Sequence, residues 1–470
     1  MGDEIRERHF DAEAFRRFRR SLDAETELVG ELFERGGFSR RGDMAGFELE
    51  AWIVDADGQP DPQNPRLLEA IGSPLVVPEL AQYNVELNGS PTALRGKVFS
   101  RLEDELADTW ELCRRGAAEL GCRLAIIGIL PTIRPEMLHS EHMSHVVRYR
   151  ALNDRILALR DGAPLHIRIT TGDGLDLSHD DVMLEAAATS FQIHLQCRPE
   201  RAVRDFNAAL ALSAPMVALA ANSPFLFGRS LWEETRIPLF EHAVSSGPRA
   251  PARVTFGTGY ARESLFELFV ENQRDHAVLL PFVQEGEAPH KFAHVRFQNG
   301  TVWRWNRPLL GFDYDGVPHL RIEHRVVPAG PTIHDCVANA AAYFGMLRGL
   351  VELDDPIENR IDFETARDNF YEAAKHGLGA RLRWSDGEIS ARDLLGELLP
   401  LAASALGRLG IPEPEVSRYL GTVRARVESG QTGARWQRAW VEKHGDDWAA
   451  LTRAYVDAQE TGEPVHTWPV

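Results

Sequence analysis

Two periodicities divide the chain. Over residues 3–35 the apolar positions Phe10, Phe15, Phe18 and Leu22 recur at helical spacing and predict one or two amphipathic helices, with the basic run Arg16-Arg17-Arg19-Arg20 on a solvated face. From Gly46 the period becomes two: residues 47–54 predict a strand closed at Asp57-Gly58. A proline-rich connection at 59–78, a second strand at 79–88, a long helix at 97–120 and a short buried strand at 124–130, stopped by Pro131, follow. Residues 141–160 read as helix, 190–197 as an alternating strand and 202–221 as an apolar helix. Between 253 and 327 the pattern is strand-like, with segments 294–297, 301–307 and 319–327 punctuated by Asn299-Gly300 and Asp315-Gly316 turns. From 331 onward it is helical, at 332–352, 362–376, 391–409, 413–428 and 434–459. Strands joined by short turns, with long helical insertions, predict an antiparallel sheet in an α+β fold rather than an alternating doubly wound one. The expected division is a helical prelude at 1–43, a sheet domain at 44–350 and a helical region at 351–470 that can pack into the same domain.

The strands carry an informative face. Side chains alternate across a strand, so residues two apart look the same way. In the first strand Phe47, Leu49 and Ala51 take one side, Glu48 and Glu50 the other; in the second, Val85 and Leu87 oppose Asn84, Glu86 and Asn88. The later polar faces are Gln192, His194 and Gln196, then Arg321, Glu323 and Arg325. For residues 303–307 either Trp303, Trp305 and Arg307 or Arg304 and Asn306 can face the same space. A plain solvated face is one reading. The other is a metal-lined concavity, because Glu48 and Glu50 repel each other, and carboxylates with one imidazole suit Mg²⁺ or Mn²⁺.

Composition narrows the classes. The 470 residues hold 52 Lys and Arg against 70 Asp and Glu, a formal charge of −18; a nucleic-acid protein would need a basic excess. Four cysteines without CxxC spacing make neither a disulfide framework nor a thiolate zinc site. The start, MGDEIRERHF, is charged and has no apolar core, so no signal peptide is expected, and the uncharged stretch 207–228 is broken by Pro215 and Pro224 and reads as a buried helix rather than a membrane span. A cytoplasmic location is the expectation. No GxxxxGK[ST] loop, dinucleotide fingerprint, GxSxG or HExxH is present. His139, His142 and His145, three residues apart, read as ordinary surface or capping histidines. If ATP is used, metals and arginines on a sheet must bind it.

The segments GFELEAWIVD, PELAQYNVELN, LAIIGILPT, RYRALND, SFQIHLQC, ALAANSPFLFG, HLRIEHRV and NFYEAAKHGLGARL, in this order over about residues 44–460, resemble the glutamate–cysteine ligase family, in its bacterial carboxylate–amine ligase branch. The resemblance implies a curved antiparallel sheet of the glutamine synthetase type, with ATP at one end and an amino acid at the other. It implies metal ligands at Glu48, Glu50, Glu79, Glu86, His194 and Glu323, of which the strand faces alone select all but Glu79. It implies a phosphate-contacting Arg325, with Arg321 on the nucleotide phosphates, and a substrate-side Arg236. The family's middle strand usually reads His-x-His-x-Gly, whereas this chain has Gln192 and Gln196 at the outer positions; both are expected to face the amino-acid site and to affect the choice of amine.

The implied chemistry is ATP-dependent ligation. A carboxylate attacks the γ-phosphate of ATP, Mg²⁺ or Mn²⁺ ions at Glu50 and its neighbours neutralise charge, and an amine attacks the resulting acyl phosphate. The implied substrates are small molecules, glutamate and cysteine or another amino acid and amine, with no nucleic acid and no membrane; a homodimer stays open. A non-catalytic nucleotide- or amino-acid-binding homologue is the alternative class.

Overall fold

The computed structural model describes all residues except 1–4, 6, 283–287 and 386. Most of the charged start, and the first residues of the helix predicted at 3–35, therefore lie outside the described residues, as does part of the strand-like stretch 253–327. The first helix, α1 (Ala12–Glu34), begins where the Asp11 carboxylate accepts the Ala14 amide at 2.7 Å, a side-chain N-cap. It buries Phe18, Leu22, Val29 and Leu32 along one stripe.

The strands in chain order are β1 (Met44–Val54), β2 (Val76–Pro78), β3 (Asn84–Asn88), β4 (Thr92–Ala93), β5 (Arg123–Ala125), the hairpin β6 (Leu165–Ile169) and β7 (Leu175–His179), and β8 (Phe191–Cys197). The two-residue pairs β9 (Phe225–Leu226) with β10 (Arg229–Ser230) and β11 (Val254–Thr255) with β12 (Trp303–Arg304) precede β13 (Asn306–Phe312) and β14 (Pro318–His324). One curved sheet runs β13-β14-β8-β1-β3-β2, antiparallel throughout, with β4 and β5 also on β1. Strand β1 exchanges partners on both edges. Its start pairs β4 and β8, and its end pairs β3 and β5, so the sheet curls around it. The antiparallel α+β expectation holds, and 47–54, 79–88, 190–197 and 319–327 each contain a strand.

Several local expectations are corrected. Residues 294–297 are not a strand but lie in a helix, Ala293–Asn299: Glu25 of α1 accepts the His294 and Val295 amides at 2.8 and 3.2 Å, capping a helix that no neighbouring residue caps. Asn299-Gly300 accordingly ends a helix instead of turning a hairpin. Strand pairing in 124–130 stops at Ala125. The 59–78 connection contains a helix, Asn64–Ile71, and β2. The predicted helix at 434–459 is two, Gly433–His444 and Trp448–Glu460, broken where Gly445 takes a φ of 86°. A small hairpin, Arg381–Trp384 with Gly387–Ser390, interrupts the otherwise helical C-terminal region.

Two almost wholly buried helices, Ala202–Ala220 and Ile333–Val351, pack together and against the strands. A buried ionic network adds to their apolar packing. Arg348 donates to Asp205 at 2.6 Å and lies 3.0 Å from Asp43, which also accepts from Arg201 at 2.5 Å. Asp43 immediately precedes β1 and holds a φ of 60°, so this buried network clamps the start of β1 to both helices. The C-terminal helices reach the sheet as well: Gln459 bonds the Ile126 amide and the Leu124 carbonyl, and Tyr455 donates to the Ile126 carbonyl. Among the described residues no helix is long and apolar enough to cross a membrane.

Removing Arg348 strands Asp205, which is 0% exposed. Arg348→Met is expected to cost roughly 3–5 kcal/mol in urea unfolding, and Arg348→Met with Asp205→Leu to recover most of that loss. Equal stability of the single and double variants would show that the ion pair is not what binds the helices.

Candidate active site

The register converts strand alternation into a cluster. Glu50 lies opposite Glu86, and Glu48 lies between Asn88 on β3 and Gln192 on β8. His194 stands between Gly46 and Glu323, Gln196 opposite Arg321, and Glu323 opposite Arg307. Directly opposed side chains in an antiparallel pair lie about 4.5–5.5 Å apart at Cβ, close enough for like charges to repel.

Two three-residue sets result. Ligand-capable atoms of Glu48, His194 and Glu323 all lie within 4.8 Å of one another, and so do those of Glu50, Glu79 and Glu86. Glu79 comes from the loop after β2, its carboxylate held by the Leu80 amide at 3.0 Å and its carbonyl by the Ser144 hydroxyl. All six residues expected as metal ligands are thereby brought together, while His139, His142 and His145 belong to neither set. His139 instead accepts the Glu141 amide at 3.4 Å.

The electrostatics are those of crowded carboxyls. Burial, aided by Glu79, pushes the Glu50 carboxyl up to about 7. Burial raises Glu79, and burial with Glu48, Glu79 and Glu50 around it raises Glu86 well above the carboxylate range. Burial pulls His194 down to about 4, leaving a neutral imidazole with both ring nitrogens buried and unbonded. Glu79 Oε1 and Glu86 Oε2 are likewise buried without a hydrogen-bond partner. Unsatisfied carboxyl oxygens in one set, and a neutral imidazole among carboxyls in the other, are donors that fit hard divalent cations.

Glu323 behaves oppositely. Although burial opposes it, Arg307 and Arg325 hold its carboxyl well below the usual range. Arg307 grips it through two hydrogen bonds of 3.1 and 2.8 Å, and Arg325 Nε lies 3.1 Å from the same carboxylate. Arg307, not Arg304, thus faces the cluster; Arg304 turns away to Glu271 and Asn272. Arg325 also donates to Gln192 at 3.1 Å, and Gln192 donates onward to Glu50 at 3.1 Å, linking the two sets. Ser190 completes the cradle of Glu50 through its amide at 2.6 Å and its hydroxyl at 3.0 Å. Arg325 Nη1 and Arg321 Nε are buried donors without partners, as anion-binding guanidiniums would be before an anion arrives.

A cavity opens at one end, lined by Glu50, Glu185, Ala188, Ser190, Arg236, Phe240 and Arg325. Arg236 reaches it, but three of its nitrogens are engaged: Nε by Glu234 at 3.0 Å, Nη1 by the Arg325 carbonyl at 3.3 Å and Nη2 by the Val326 carbonyl. It braces the arginine strand as well as facing the cavity. Neither Gln192 nor Gln196 is among the lining residues, but Gln192 bonds two that are, Glu50 and Arg325. Four residues further along β8, about 13 Å, Gln196 donates to Asp313 at 3.2 Å, beside Ser39 and His319, which bond the same carboxylate. Glu185, Ser190, Phe240 and Arg307 complete the site without having been selected from sequence. Arg307 stood in an undecided strand face; Glu185 sits in a 3-10 segment, Val182–Ala187, where no strand period flags it.

The overall fold is similar to those of solved enzymes. The glutamate–cysteine ligase of Francisella tularensis, solved in complex with AMP, superimposes with a TM-score of 0.57 over 90% of this chain and 89% of that one, at 11% identity. A bifunctional glutathione synthetase from Pasteurella multocida gives a TM-score of 0.55 at 12% identity, over 93% of this chain and 54% of that one. The family model for glutamate–cysteine ligase family 2 matches residues 44–454, and the chain belongs to that family. A search of curated proteins finds no match.

A metal bound at this site would have to compete with protons. Glu50, raised from 4.5 to about 7 in the folded, metal-free protein, contributes stability that is fully present below 4.5 and lost as pH rises through about 7. Because a ligating carboxylate must be ionised, Mn²⁺ or Mg²⁺ is expected to raise Tm by at least about 3 °C at pH 8 and by much less at pH 6. Thermal unfolding at the two pH values, with and without the metal, checks this; a shift of the same size at both would detach Glu50 from metal binding.

Proposed function

We propose that the protein is an ATP-dependent carboxylate–amine ligase that makes an amide through an acyl phosphate, using Mg²⁺ or Mn²⁺. The observation that carries this reading is the pairing of Glu48–His194–Glu323 with Glu50–Glu79–Glu86 beside the under-bonded guanidinium of Arg325. Membership of a glutamate–cysteine ligase family supports it. Divalent ions held by the two sets would neutralise the polyphosphate and the transferring phosphoryl group.

The remaining chemistry falls to side chains. Arg325, fixed between Glu323 and Gln192, is oriented to donate to the phosphoryl oxygens as they pass from ATP to the substrate carboxylate; Arg321 does the same for the nucleotide phosphates. Gln192 fixes the spacing between Arg325 and Glu50 by donating to one and accepting from the other. The amine then attacks the acyl carbon, the C–O bond to phosphate breaks, and phosphate leaves as the nitrogen gives up its proton. Arg236 holds the substrate end of the cavity. The substrate pair is an amino-acid carboxylate with an amine, and glutamate with cysteine is the first pair to test. Gln192, which lines up with the cavity end, is the better candidate than Gln196 for tuning the choice of amine. A cytoplasmic location suits an enzyme that consumes ATP.

Phosphate release from purified protein with ATP, Mg²⁺ and pairs of amino acids tests the assignment directly: release that requires both a carboxylate and an amine is expected. Glu50→Ala should abolish turnover while leaving a cooperatively folded protein, since removing one carboxyl also relieves repulsion. Unchanged turnover in that folded variant would overturn the metal assignment. Arg325→Lys retains the charge but loses the planar fork, and is expected to lower kcat by about 2 kcal/mol of transition-state stabilisation or more. If kcat is unaffected, Arg325 does not contact the phosphoryl group.

A further inference from the structure

The cavity holds one acidic side chain that no ligand set and no ion pair accounts for. Glu185 lies in the Val182–Ala187 segment, whose other five residues are all buried. The segment is pinned at its start: the Asp181 carboxylate accepts the Met183 amide at 3.0 Å, and the Asn153 side chain accepts the Val182 amide at 3.1 Å. Glu185 alone in it lines the cavity, together with Glu50, Ser190, Arg236, Phe240 and Arg325. Its carboxyl belongs to neither three-residue ligand set. Among the described residues it makes no hydrogen bond or ion pair, although every other acidic member of the site has a partner or a ligand set. Arginines flank the cavity with positive charge, one of them stacked on Phe240 with its guanidinium carbon 5.5 Å from the ring. The lining is therefore dipolar: guanidiniums suited to carboxylate or phosphoryl oxygens, and one acidic side chain on a pinned segment, its carboxyl raised well above the usual range by burial with Glu79 and Glu50 nearby, which a cation beside it would hold ionised.

We infer that Glu185 is the ammonium-recognising residue of the amino-acid end, receiving the primary ammonium of a substrate whose carboxylate or acyl phosphate faces Arg236 and Arg325. The inference rests on the ligase reading. It is a positioning and specificity role: a cationic nitrogen bonded to a fixed carboxylate is held in one orientation beside Glu50, and uncharged analogues of the same shape leave that carboxylate buried and unpaired. Two ammonium groups are available in such a reaction, the α-ammonium of the carboxylate donor and the amine of the acceptor before it loses a proton. The chemistry of recognition is the same for both.

The test compares wild type, Glu185→Gln and Glu185→Asp in two assays with Mg²⁺ present. Calorimetry with a non-hydrolysable ATP analogue in place measures binding of glutamate, its deamino analogue glutarate, cysteine and 3-mercaptopropionate. Phosphate release measures KM for each substrate. In Glu185→Gln, affinity for one amino acid is expected to fall by about tenfold or more, the usual effect of losing a charged hydrogen bond, with Glu185→Asp between the two. Wild type should discriminate against that amino acid's deamino analogue and Glu185→Gln should not. Loss confined to glutamate identifies the donor's α-ammonium, and loss confined to cysteine identifies the acceptor. KM for ATP and the metal-induced Tm shift should stay within about twofold of wild type, which a merely structural defect would not allow. Equal affinities in folded wild type and Glu185→Gln, a parallel rise in KM for ATP, or no binding of any amino acid to wild type would each overturn the inference. Failure of the ligase reading looks different: amino acids still bind in a Glu185-dependent way, but no amine-dependent phosphate is released.

Discussion

Carboxyl groups forced together on one face of a sheet are the constraint around which this molecule is built. Glu50 and Glu86 are opposed across two strands and Glu79 is the third member of their set. Bringing such groups together out of water costs free energy that no sheet hydrogen bond repays. The fold does not dissolve the conflict; it concentrates compensating donors around it. Ser190, Gln192, Asn88 and the Leu80 amide each donate to one of these three carboxylates. What they leave unsatisfied, on Glu79 and Glu86, points inward. A site with stored repulsion on rigid strands would take up cations with little rearrangement, because the ordering has already been done by the sheet.

The second set is built by the opposite device. Glu323 is over-supplied with positive charge, from Arg307 and Arg325, and stays ionised, while His194 stays neutral beside it. The two sets meet at Gln192, which donates to Glu50 and accepts from Arg325. The Gln192 end opens to the cavity with Arg236 and Glu185, and the Gln196 end closes on Asp313. Gln192 and Gln196, four residues apart on one strand face, therefore sit in different surroundings.

Rigidity comes from behind the sheet. The Asp43–Arg348–Asp205 network and the Gln459 and Tyr455 contacts at the edge next to β1 tie this strand to helices from three parts of the chain. The segments around 124–130, 186–190 and 222–236 meet at the far end. Thr189 bonds the Ile127 carbonyl, Asn222 the Ala329 carbonyl, and Ser223 accepts the Arg236 amide at 3.1 Å. Gly330, at φ 88°, lies so close that a Cβ would fall 1.9 Å from the Ile126 oxygen. These contacts explain why the stretches that resemble the family are not all ligands: several of them hold the loop that presents Ser190 and Glu185.

Alternation along each strand was determined by the sequence, because the period of two is a local property of extended backbone. It was enough to place Glu48, Glu50, Glu86, His194, Glu323, Arg321 and Arg325 on polar faces, and the resemblance added Glu79. The grouping of six ligands into two sets was not legible, since it follows from register between strands that are distant in sequence. Nor was the choice of Arg307 over Arg304, which the pairing with Glu323 decides, nor the helix at 293–299, whose cap is supplied by Glu25 from another helix. Glu185 was invisible for a related reason. A lone acidic residue in an apolar 3-10 segment acquires meaning only when tertiary packing opens a cavity in front of it and surrounds that cavity with arginines.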